Sequence, residues 1–283
     1  MKTLDLTELY ALISDLLIRL SKNFLEDKDL VKRGPNPQLS PAEIITISLL
    51  SLRYSMNFKR FYHDVLQKQY NKDFRLVSYD RFLQIQKSVF VQSCLILDVL
   101  MANNIAVTNK AFVDSSPMPL CKNARRYKCK AMQEVAKPSK NCHGWFYGLK
   151  IHLVTDDNGK ILNFKITPAN TDDRKPVMKL VKNMNIDFLC GDKGYISSEL
   201  TKKLLLEKNI SLITYPRKGM KNNFVFEDHL KLLRRRPIIE TVFGQLKEQY
   251  RLVLNKCRSN FGIAKTIVFA ILGHCLQIHK MII

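Results

Sequence analysis

The sequence is short of acidic residues and lacks the motifs of several common protein classes. It has 25 Asp and Glu against 46 Lys and Arg, which gives a formal net charge of +21 and a pI near 9.7. No uninterrupted apolar run reaches the eighteen residues of a spanning helix, so we expect no membrane partner. Acidic side chains at helical spacing in the first 20 residues do not fit a signal peptide, and we expect a cytoplasmic protein.

Cysteine, histidine and glycine are also not arranged in recognisable sites. The seven cysteines include no Cys-x-x-Cys pair, which argues against both a secreted disulfide framework and a ribbon-type zinc site. The six histidines show no His-Glu-x-x-His spacing. Neither a P-loop nor a Gly-x-Gly-x-x-Gly motif is present, so we expect no nucleotide cofactor.

The positive charge is concentrated in one part of the 283-residue chain. Residues 1–113 contain 15 basic and 11 acidic side chains, whereas residues 114–283 contain 31 and 14. An apolar content of 46% excludes a fully disordered chain. The excess of Lys and Arg in a folded domain is typical of proteins that bind a polyanion, and it makes nucleic acid the first partner to consider.

The pattern of apolar residues divides the chain into two regions. Residues 1–107 have the spacing of helices throughout, whereas residues 108–283 alternate between strand and helix patterns. Asn158-Gly159 predicts a hairpin between two antiparallel strands. We therefore predict an all-helical N-terminal region followed by a mixed α/β sheet flanked by helices, with a C-terminal helix.

Three acidic residues stand at positions that suit catalysis. Asp114 follows the apolar run Ala111–Val113, Asp192 follows the strand pattern that ends at Cys190, and Glu240 lies in a predicted helix. Carboxylates that meet at a sheet edge are ligands for hard divalent cations. Each residue also has a structural interpretation: Asp114 as a turn cap, Asp192 as an acid at a helix N-terminus, and Glu240 as an ion-pair partner of Arg236.

The segments around these acids resemble bacterial insertion-sequence transposases of the DDE type. Val113-Asp114-Ser115 with the following Pro117–Cys121, and Gly191-Asp192-Lys193-Gly194-Tyr195, are similar to the two aspartate segments of the insertion-sequence 982 family. Arg236, Glu240 and Lys247 match the spacing of the third-acid helix of related transposases, whose tyrosine is Leu233 here. The resemblance covers residues 110–270.

This resemblance implies an RNase H-like catalytic domain with a five-stranded sheet at residues 108–283. In it, Asp114, Asp192 and Glu240 would be the catalytic residues and would bind two Mg²⁺ (or Mn²⁺) ions. The implied reaction is cleavage and strand transfer at insertion-sequence ends. The implied partners are terminal inverted repeats, target DNA and a second copy in a synaptic homodimer, in a bacterial cytoplasm and on the nucleoid.

The helix around Glu240 supports this interpretation independently. At 100° per residue, Arg236 and Lys247 lie within about 40° of the face that carries Glu240. We predict that both cations contact DNA phosphates, and that Gly244 leaves room for a phosphate to approach. A solvated ion pair on an amphipathic helix is the alternative.

Further candidates for DNA contacts are basic residues outside that helix. The segment Ser115–Lys150, expected as a flexible loop, contains eight Lys and Arg against the single acid Glu134. Trp145, Phe146 and Tyr147 could stack on an unpaired base or belong to the core. The predicted phosphate contacts in these regions are Lys193, Arg125, Arg126, Lys128, Lys150, Arg234 and Arg235.

Two questions stay open at the level of sequence. Residues 39–54 and 58–70 could form a helix-turn-helix that reads DNA ends, with Lys59, Arg60, Lys68 and Lys72 on or just after its second helix, or they could serve packing or dimerisation. The three acids do not separate a transposase from a metal-dependent nuclease that only hydrolyses DNA. A non-catalytic, transposase-derived DNA-binding protein is a third alternative.

Overall fold

The computed structural model describes residues 6–24, 37–54, 56–105, 109–217 and 226–280, and the chain divides into two compact units. Unit 1 contains residues up to Leu100 together with Gln249–Arg251 and the residues from Ile267 onward. Unit 2 contains Met101–Glu248 and Leu252–Thr266. The predicted boundary between residues 107 and 108 lies outside the described residues and stays a prediction.

Unit 1 is helical, as the sequence predicts. Its elements are α1 (Leu6–Phe24), α2 (Pro41–Leu50), a 3₁₀ turn (Ser51–Arg53), α3 (Phe58–Arg60), a π-helical stretch (Phe61–Leu66), α4 (Gln67–Gln69) and α5 (Tyr79–Ser88), and most of α6 (Phe90–Ile105). The last helix that the structure describes, α11 (Asn260–Lys280), contributes its residues from Ile267 onward.

Local sequence signals explain where these helices begin. Ser40 and Glu43 form a reciprocal capping box at the start of α2, with Pro41 at the first helical position. Asn57 and Ser78 cap α3 and α5 through their side-chain oxygens. These side chains accept backbone N–H groups that the first turn of a helix leaves without partners.

Unit 2 is built on a six-stranded mixed sheet. The strands are β1 (Lys110–Lys122), β2 (Lys137–Asn141), β3 (Gly144–Thr155), β4 (Ile161–Pro168), β5 (Phe188–Cys190) and β6 (Ser211–Ile213). β1 pairs antiparallel with β3 on one side and parallel with β5 on the other, and β6 follows β5 in parallel. The other edge of β3 pairs with two strands: its first residues pair with the short β2, and its remaining residues pair with β4.

Helices pack on both faces of this sheet. They are α7 (Val177–Leu180), α8 (Ser198–Lys208), α9 (Glu227–Arg235) and α10 (Pro237–Glu248). One core cluster packs Val113 and Val154 of the sheet against Val181 and Leu204 from the helical side. α10 buries Ile239, Val242, Phe243 and Leu246, and it lies over β1 and β3. Burial of these apolar side chains fixes α10, and hence Glu240, relative to the sheet.

The predicted architecture is confirmed: a mixed α/β sheet flanked by helices follows an all-helical N-terminal region along the chain. Its assignment as RNase H-like stays a prediction. The sheet has six strands where five were predicted, because β2 adds a short strand beside the first half of β3. The C-terminal helix also differs from the prediction. The sequence assigned all of it to the catalytic domain, whereas its residues from Ile267 onward group with unit 1, where Gly273 packs closely against Tyr250 and Leu52.

The segment after Asp114 differs most from the sequence-based prediction. Ser115, Ser116 and Pro117 begin the segment expected as a flexible loop, but β1 continues through them to Lys122. β5 pairs with β1 only at Lys110–Phe112. Pro117 and Pro119 lie beyond this pairing, where β1 need not donate a backbone N–H to β5. Proline is tolerated at such edge positions. The expected flexible loop from Ser115 to Lys150 is therefore largely strand and 3₁₀ helix.

Within the described ranges, no single helix is long and apolar enough to cross a membrane. The pair α5 and α6, bent by 52° at its break, passes that test by combined length and composition.

Candidate active site

Asp114 lies in the middle of β1, on the face that α10 covers. Side chains alternate along a strand, so Asp114 shares this face with Phe112 and Ser116. The Asp114 carboxylate is mostly buried, with 18% of the side chain exposed. Its Oδ1 accepts a hydrogen bond of 2.8 Å from the backbone N–H of Ser115. The acid is thus delivered from within a paired strand rather than from the strand end that the sequence predicted.

Arg236 joins two of the three predicted acids. It lies between α9 and α10, and its Nη2 donates to Asp114 Oδ2 at 3.0 Å while its Nη1 donates to Glu240 Oε1 at 3.1 Å. Arg236 is 19% exposed, whereas Glu240, in the first turn of α10, is 58% exposed. The planar guanidinium suits this double contact because it presents several donors in a fixed geometry.

Asp192 follows β5, as predicted, and its carboxylate is held by the turn after the strand. Asp192 Oδ1 accepts a hydrogen bond of 2.8 Å from the backbone N–H of Gly194. A β-carbon at Gly191 would lie 3.0 Å from the ring of Tyr195, so glycine lets this ring pack against the backbone. The motif Gly191–Tyr195 therefore fixes the direction of the Asp192 side chain.

Electrostatics connects all three carboxylates. Burial raises the pKa of Asp114 to about 6, and the charges of Asp192 and Glu240 act in the same direction. The Ser115 N–H and Arg236 oppose these effects. The carboxylates of Asp192 and Glu240 are therefore near enough to Asp114 to disfavour its ionised form. The structure brings the three acids predicted from sequence into one region of unit 2.

The three acids do not form a pre-arranged metal site in the described part of the chain. No group of three or more His, Cys, Asp or Glu side chains in the described part of the chain could hold a metal ion. Arg236 instead supplies the positive charge that Asp114 and Glu240 share. The donor set still fits a hard divalent cation by its chemistry, since carboxylate oxygens are the preferred ligands of Mg²⁺ and Mn²⁺.

Lys247, the second predicted cation of α10, also reaches β1. Its Nζ donates to Ser116 Oγ at 2.7 Å, and Ser116 stands two residues after Asp114 on the same strand face. Partial burial lowers the pKa of Lys247. The side chains of Arg236 and Lys247 thus converge on one face of β1, in line with the helix geometry that the sequence indicates.

The other predicted DNA contacts fall into two groups. Lys150 and Arg235 are engaged within the chain: Lys150 Nζ lies 2.9 Å from Asp173 Oδ1, and Arg235 Nη1 lies 2.7 Å from Asp157 Oδ2. Lys150 is only 17% exposed, which argues against a role in contacting DNA backbone. Arg126 is half-buried, and the remaining four are exposed on unit 2: Arg125, Lys128, Lys193 and Arg234.

A buried polar cluster near the acids was not predicted from sequence. Tyr195 is 1% exposed, and its hydroxyl has no hydrogen-bond partner among the described residues. Burial, with the charges of Asp114, Asp173 and Asp192, raises the pKa of Tyr195. His152 is fully buried, with its Nδ1 3.8 Å from Asp173 Oδ1. The sequence offered one signal for this cluster: Lys150 and His152 are two residues apart on a strand, so their side chains lie on the same face of the sheet.

Comparisons with known proteins agree with this arrangement at the level of family. No curated protein matches the sequence. A crystal structure of a pre-cleavage Mos1 transpososome aligns over 98% of both chains, with 10% sequence identity and a TM-score of 0.25, which is too low to support a shared fold. A family model, the transposase DDE domain, matches residues 104–260, more than half of the 283 residues. The protein therefore belongs to the transposase DDE domain family.

Proposed function

We propose that this protein is a DNA transposase that catalyses metal-dependent cleavage and strand transfer at the ends of an insertion sequence. The observation that carries the proposal is the pair of contacts from Arg236 to Asp114 and Glu240, with the Asp192 charge acting on the same site. Family membership independently supports a DDE-type reaction. The finer assignment to the insertion-sequence 982 group stays a prediction.

In this proposal Asp114, Asp192 and Glu240 hold two divalent ions. When bound, Mg²⁺ or Mn²⁺ would activate the attacking water or hydroxyl and stabilise the leaving oxygen of the phosphodiester. Arg236 would release at least one carboxylate and bind a phosphate oxygen with the freed donors. Lys247, anchored on Ser116 beside Asp114, would bind a neighbouring phosphate.

Replacement of Asp192 by alanine tests the proposal directly. We expect the D192A variant to lose cleavage of DNA that carries the terminal repeats, because one of three ligands is removed, and to keep most of its DNA affinity. Asp187 stands just before the opposite end of β5 and is exposed, so D187A is the matched control and should cleave normally. Cleavage is measured on labelled DNA with Mg²⁺ or Mn²⁺, and binding by mobility shift. Retained cleavage by D192A would contradict the assignment.

A second assay separates strand transfer from hydrolysis. Pre-cleaved ends incubated with target DNA and metal should yield donor strands joined to target strands. Hydrolysis without any joined product would favour the nuclease alternative. Absence of both reactions in the wild-type protein, with DNA binding retained, would favour a non-catalytic DNA-binding protein.

Recognition of DNA ends by unit 1 is part of the proposal. α2 buries eight of its ten residues, including Ile44, Ile45 and Ile47, so it would act as the supporting helix. The following helical segment exposes Lys59, Arg60 and Lys68, although Asp64 pairs with two of them at 3.3 and 3.5 Å. Binding of terminal repeats, a homodimer in the synaptic complex and a cytoplasmic, nucleoid-associated location all remain proposals.

A further inference from the structure

Residues 122–145 form an extension of unit 2 beyond the catalytic sheet, which we call the aromatic extension. It contains the 3₁₀ helix Asn123–Lys128, the strand β2 and the first residues of β3. Strand pairing anchors both of its ends, with Lys122 opposite Phe146 and Lys140 opposite Trp145. The backbone N–H of Met132 also donates to Asn260 Oδ1 at 2.7 Å. The extension is therefore an ordered part of the fold.

Two aromatic side chains of the aromatic extension face solvent. Tyr127 is 81% exposed and Trp145 is 61% exposed, whereas the neighbouring Phe146 and Tyr147 are only 6% and 8% exposed. The sequence left open whether the three consecutive aromatics belong to the core, and the structure separates them. Phe146 and Tyr147 pack inside, and Trp145 does not. An exposed tryptophan or tyrosine offers a ligand a large flat ring that also carries a polar group.

One face of Tyr127 is already covered by a cation. The guanidinium carbon of Arg126 lies 4.6 Å from the centre of the Tyr127 ring, and Arg126 also hydrogen-bonds to the Tyr127 hydroxyl. A guanidinium stacked on a ring holds that ring in place. A flat ligand could stack on the exposed part of the ring without reorganisation of the protein.

The charge around these rings identifies the class of ligand. The aromatic extension has a single acid, Glu134, and seven basic residues, of which all but the half-buried Arg126 are exposed: Lys122, Arg125, Arg126, Lys128, Lys130, Lys137 and Lys140. Such a surface combines attraction for a polyanion with flat apolar rings. Proteins that bind single-stranded nucleic acid combine these same two features, because the backbone is anionic and each unpaired base exposes a π-face.

We propose that the aromatic extension binds unpaired bases of single-stranded DNA by stacking on Trp145 and Tyr127. The proposal rests on the proposed function for the choice of DNA as the polyanion. Duplex DNA buries its bases in the stack, so it would use the Lys and Arg side chains but not the rings. A strand opened in the DNA that flanks the cleavage site would use both.

The position of the aromatic extension separates this role from catalysis. β1 carries Asp114 and reaches the extension eight residues later, which corresponds to roughly 25 Å along an extended strand. Trp145, next to the Phe146 that pairs with Lys122, is therefore too far from Asp114 to contact the bond that is cleaved. At 3.4 Å per base pair, this separation matches roughly seven base pairs, so the ligand would be DNA that flanks the reaction site.

Tryptophan fluorescence tests the proposal without labelling the protein, because Trp145 is the only tryptophan of the chain. We expect a 20-nucleotide oligothymidine to quench this fluorescence on titration in EDTA, and a 20-base-pair blunt duplex to quench it far less. Working without metal makes the measurement independent of cleavage. Absence of quenching by single strands at saturation would overturn the proposal, even if the protein cleaves and joins DNA.

Variants show whether the ring itself binds. W145A should bind the labelled oligothymidine on the order of 10-fold more weakly, since stacking on one base is worth about that factor or more. W145F should restore most of this affinity, because phenylalanine also stacks. Affinity for the duplex should change less than about 2-fold in both variants.

The matched control removes an exposed apolar side chain from another surface of unit 2. Leu206 on α8 is 83% exposed, and L206A should bind both DNA forms like the wild type. Equal weakening of single-stranded and duplex binding by W145A, or failure of W145F to restore affinity although its thermal unfolding is unchanged, would contradict a stacking role. Absence of cleavage by the wild-type protein together with intact quenching of its Trp145 fluorescence would overturn the proposed function and leave this inference standing.

Discussion

Arg236 is the residue on which the acidic site depends. It is the counter-ion of both Asp114 and Glu240. In its ion pair with Asp114, both side chains are less than one-fifth exposed. Loss of one partner from such a pair leaves a charge without compensation in a region of low dielectric. The same guanidinium would compete with divalent ions for these carboxylates.

We predict that R236Q lowers the free energy of unfolding by about 2–3 kcal/mol near neutral pH, because the Asp114 carboxylate loses the ion pair that it forms among the described residues. The adjacent Arg235 provides the control. It is 62% exposed in its pair with Asp157, so R235Q should cost less than about 1 kcal/mol. Denaturant unfolding of both variants measures the difference, and equal losses would contradict a larger contribution from the Arg236 contact.

His152 should make stability dependent on pH. Burial lowers its pKa to about 4 from an ordinary value near 6.5, although Asp173 acts in the opposite direction. Between these values the unfolded chain binds a proton that the folded chain does not, so stability falls as pH decreases from 6.5 toward 4. The difference corresponds to about 3 kcal/mol for this one residue.

We therefore expect H152Q to lose less stability than the wild type between pH 6.5 and pH 4, since glutamine does not titrate. His274, whose pKa burial also lowers to about 4, keeps its own contribution in this variant. H143Q, at an exposed turn position, should follow the wild-type curve. Thermal unfolding at a series of pH values measures the slopes, and parallel curves for H152Q and the wild type would contradict the prediction.

At the scale of elements, β1 and α10 together create the site. β1 presents Asp114 and Ser116 on one face, and α10, with the residue just before it, brings Arg236, Glu240 and Lys247 to that face. The close pairing of β1 with β3 depends on Gly148, where a β-carbon would lie 2.4 Å from the Met118 carbonyl oxygen. Gly244 in α10 is different, because a β-carbon there would meet no atom within 4 Å apart from the nearby backbone of its own helix.

We predict opposite effects of alanine at these two glycines. G148A should destabilise unit 2 by about 1–3 kcal/mol, because the backbone of β1 would have to move. G244A should stabilise α10 by about 0.5–1 kcal/mol, since alanine is the better helix former. If a phosphate approaches α10 at Gly244, G244A should also weaken DNA binding. Unchanged DNA affinity in G244A would remove Gly244 from the phosphate path.

At the scale of the whole molecule, a net charge of +21 makes DNA binding dependent on salt. We expect the logarithm of the binding constant for duplex DNA to fall linearly with the logarithm of salt concentration, with a slope set by the number of phosphates neutralised. K128A, in the exposed part of the aromatic extension, should reduce that slope by about 1. K203A is the control, because Lys203 pairs with Glu199 on α8 at 2.7 Å. An unchanged slope in K128A would exclude a phosphate contact there.

Much of this protein could be derived from its sequence, and the reason is local. Helix caps such as Ser40 and Ser78, the Asn158-Gly159 hairpin and the apolar strand before Asp192 act through neighbours along the chain. The order of strands and helices, and the spacing of Arg236, Glu240 and Lys247, follow from such signals. The local sequence likewise singled out Asp114, Asp192 and Glu240 as the acids of one domain.

Only the tertiary structure decided what each of these groups contacts. β1 runs on past Ser115 and Pro117 because β3 pairs with it, and no local pattern contains that partner. Contacts between residues distant in sequence also place Lys150 in an ion pair with Asp173. They bury Phe146 and leave Trp145 exposed to solvent. The pKa of Asp114 depends on burial and on charges up to 126 positions away in the chain, at Glu240. Sequence determined which groups the site contains, and long-range packing determined their environment and therefore their chemistry.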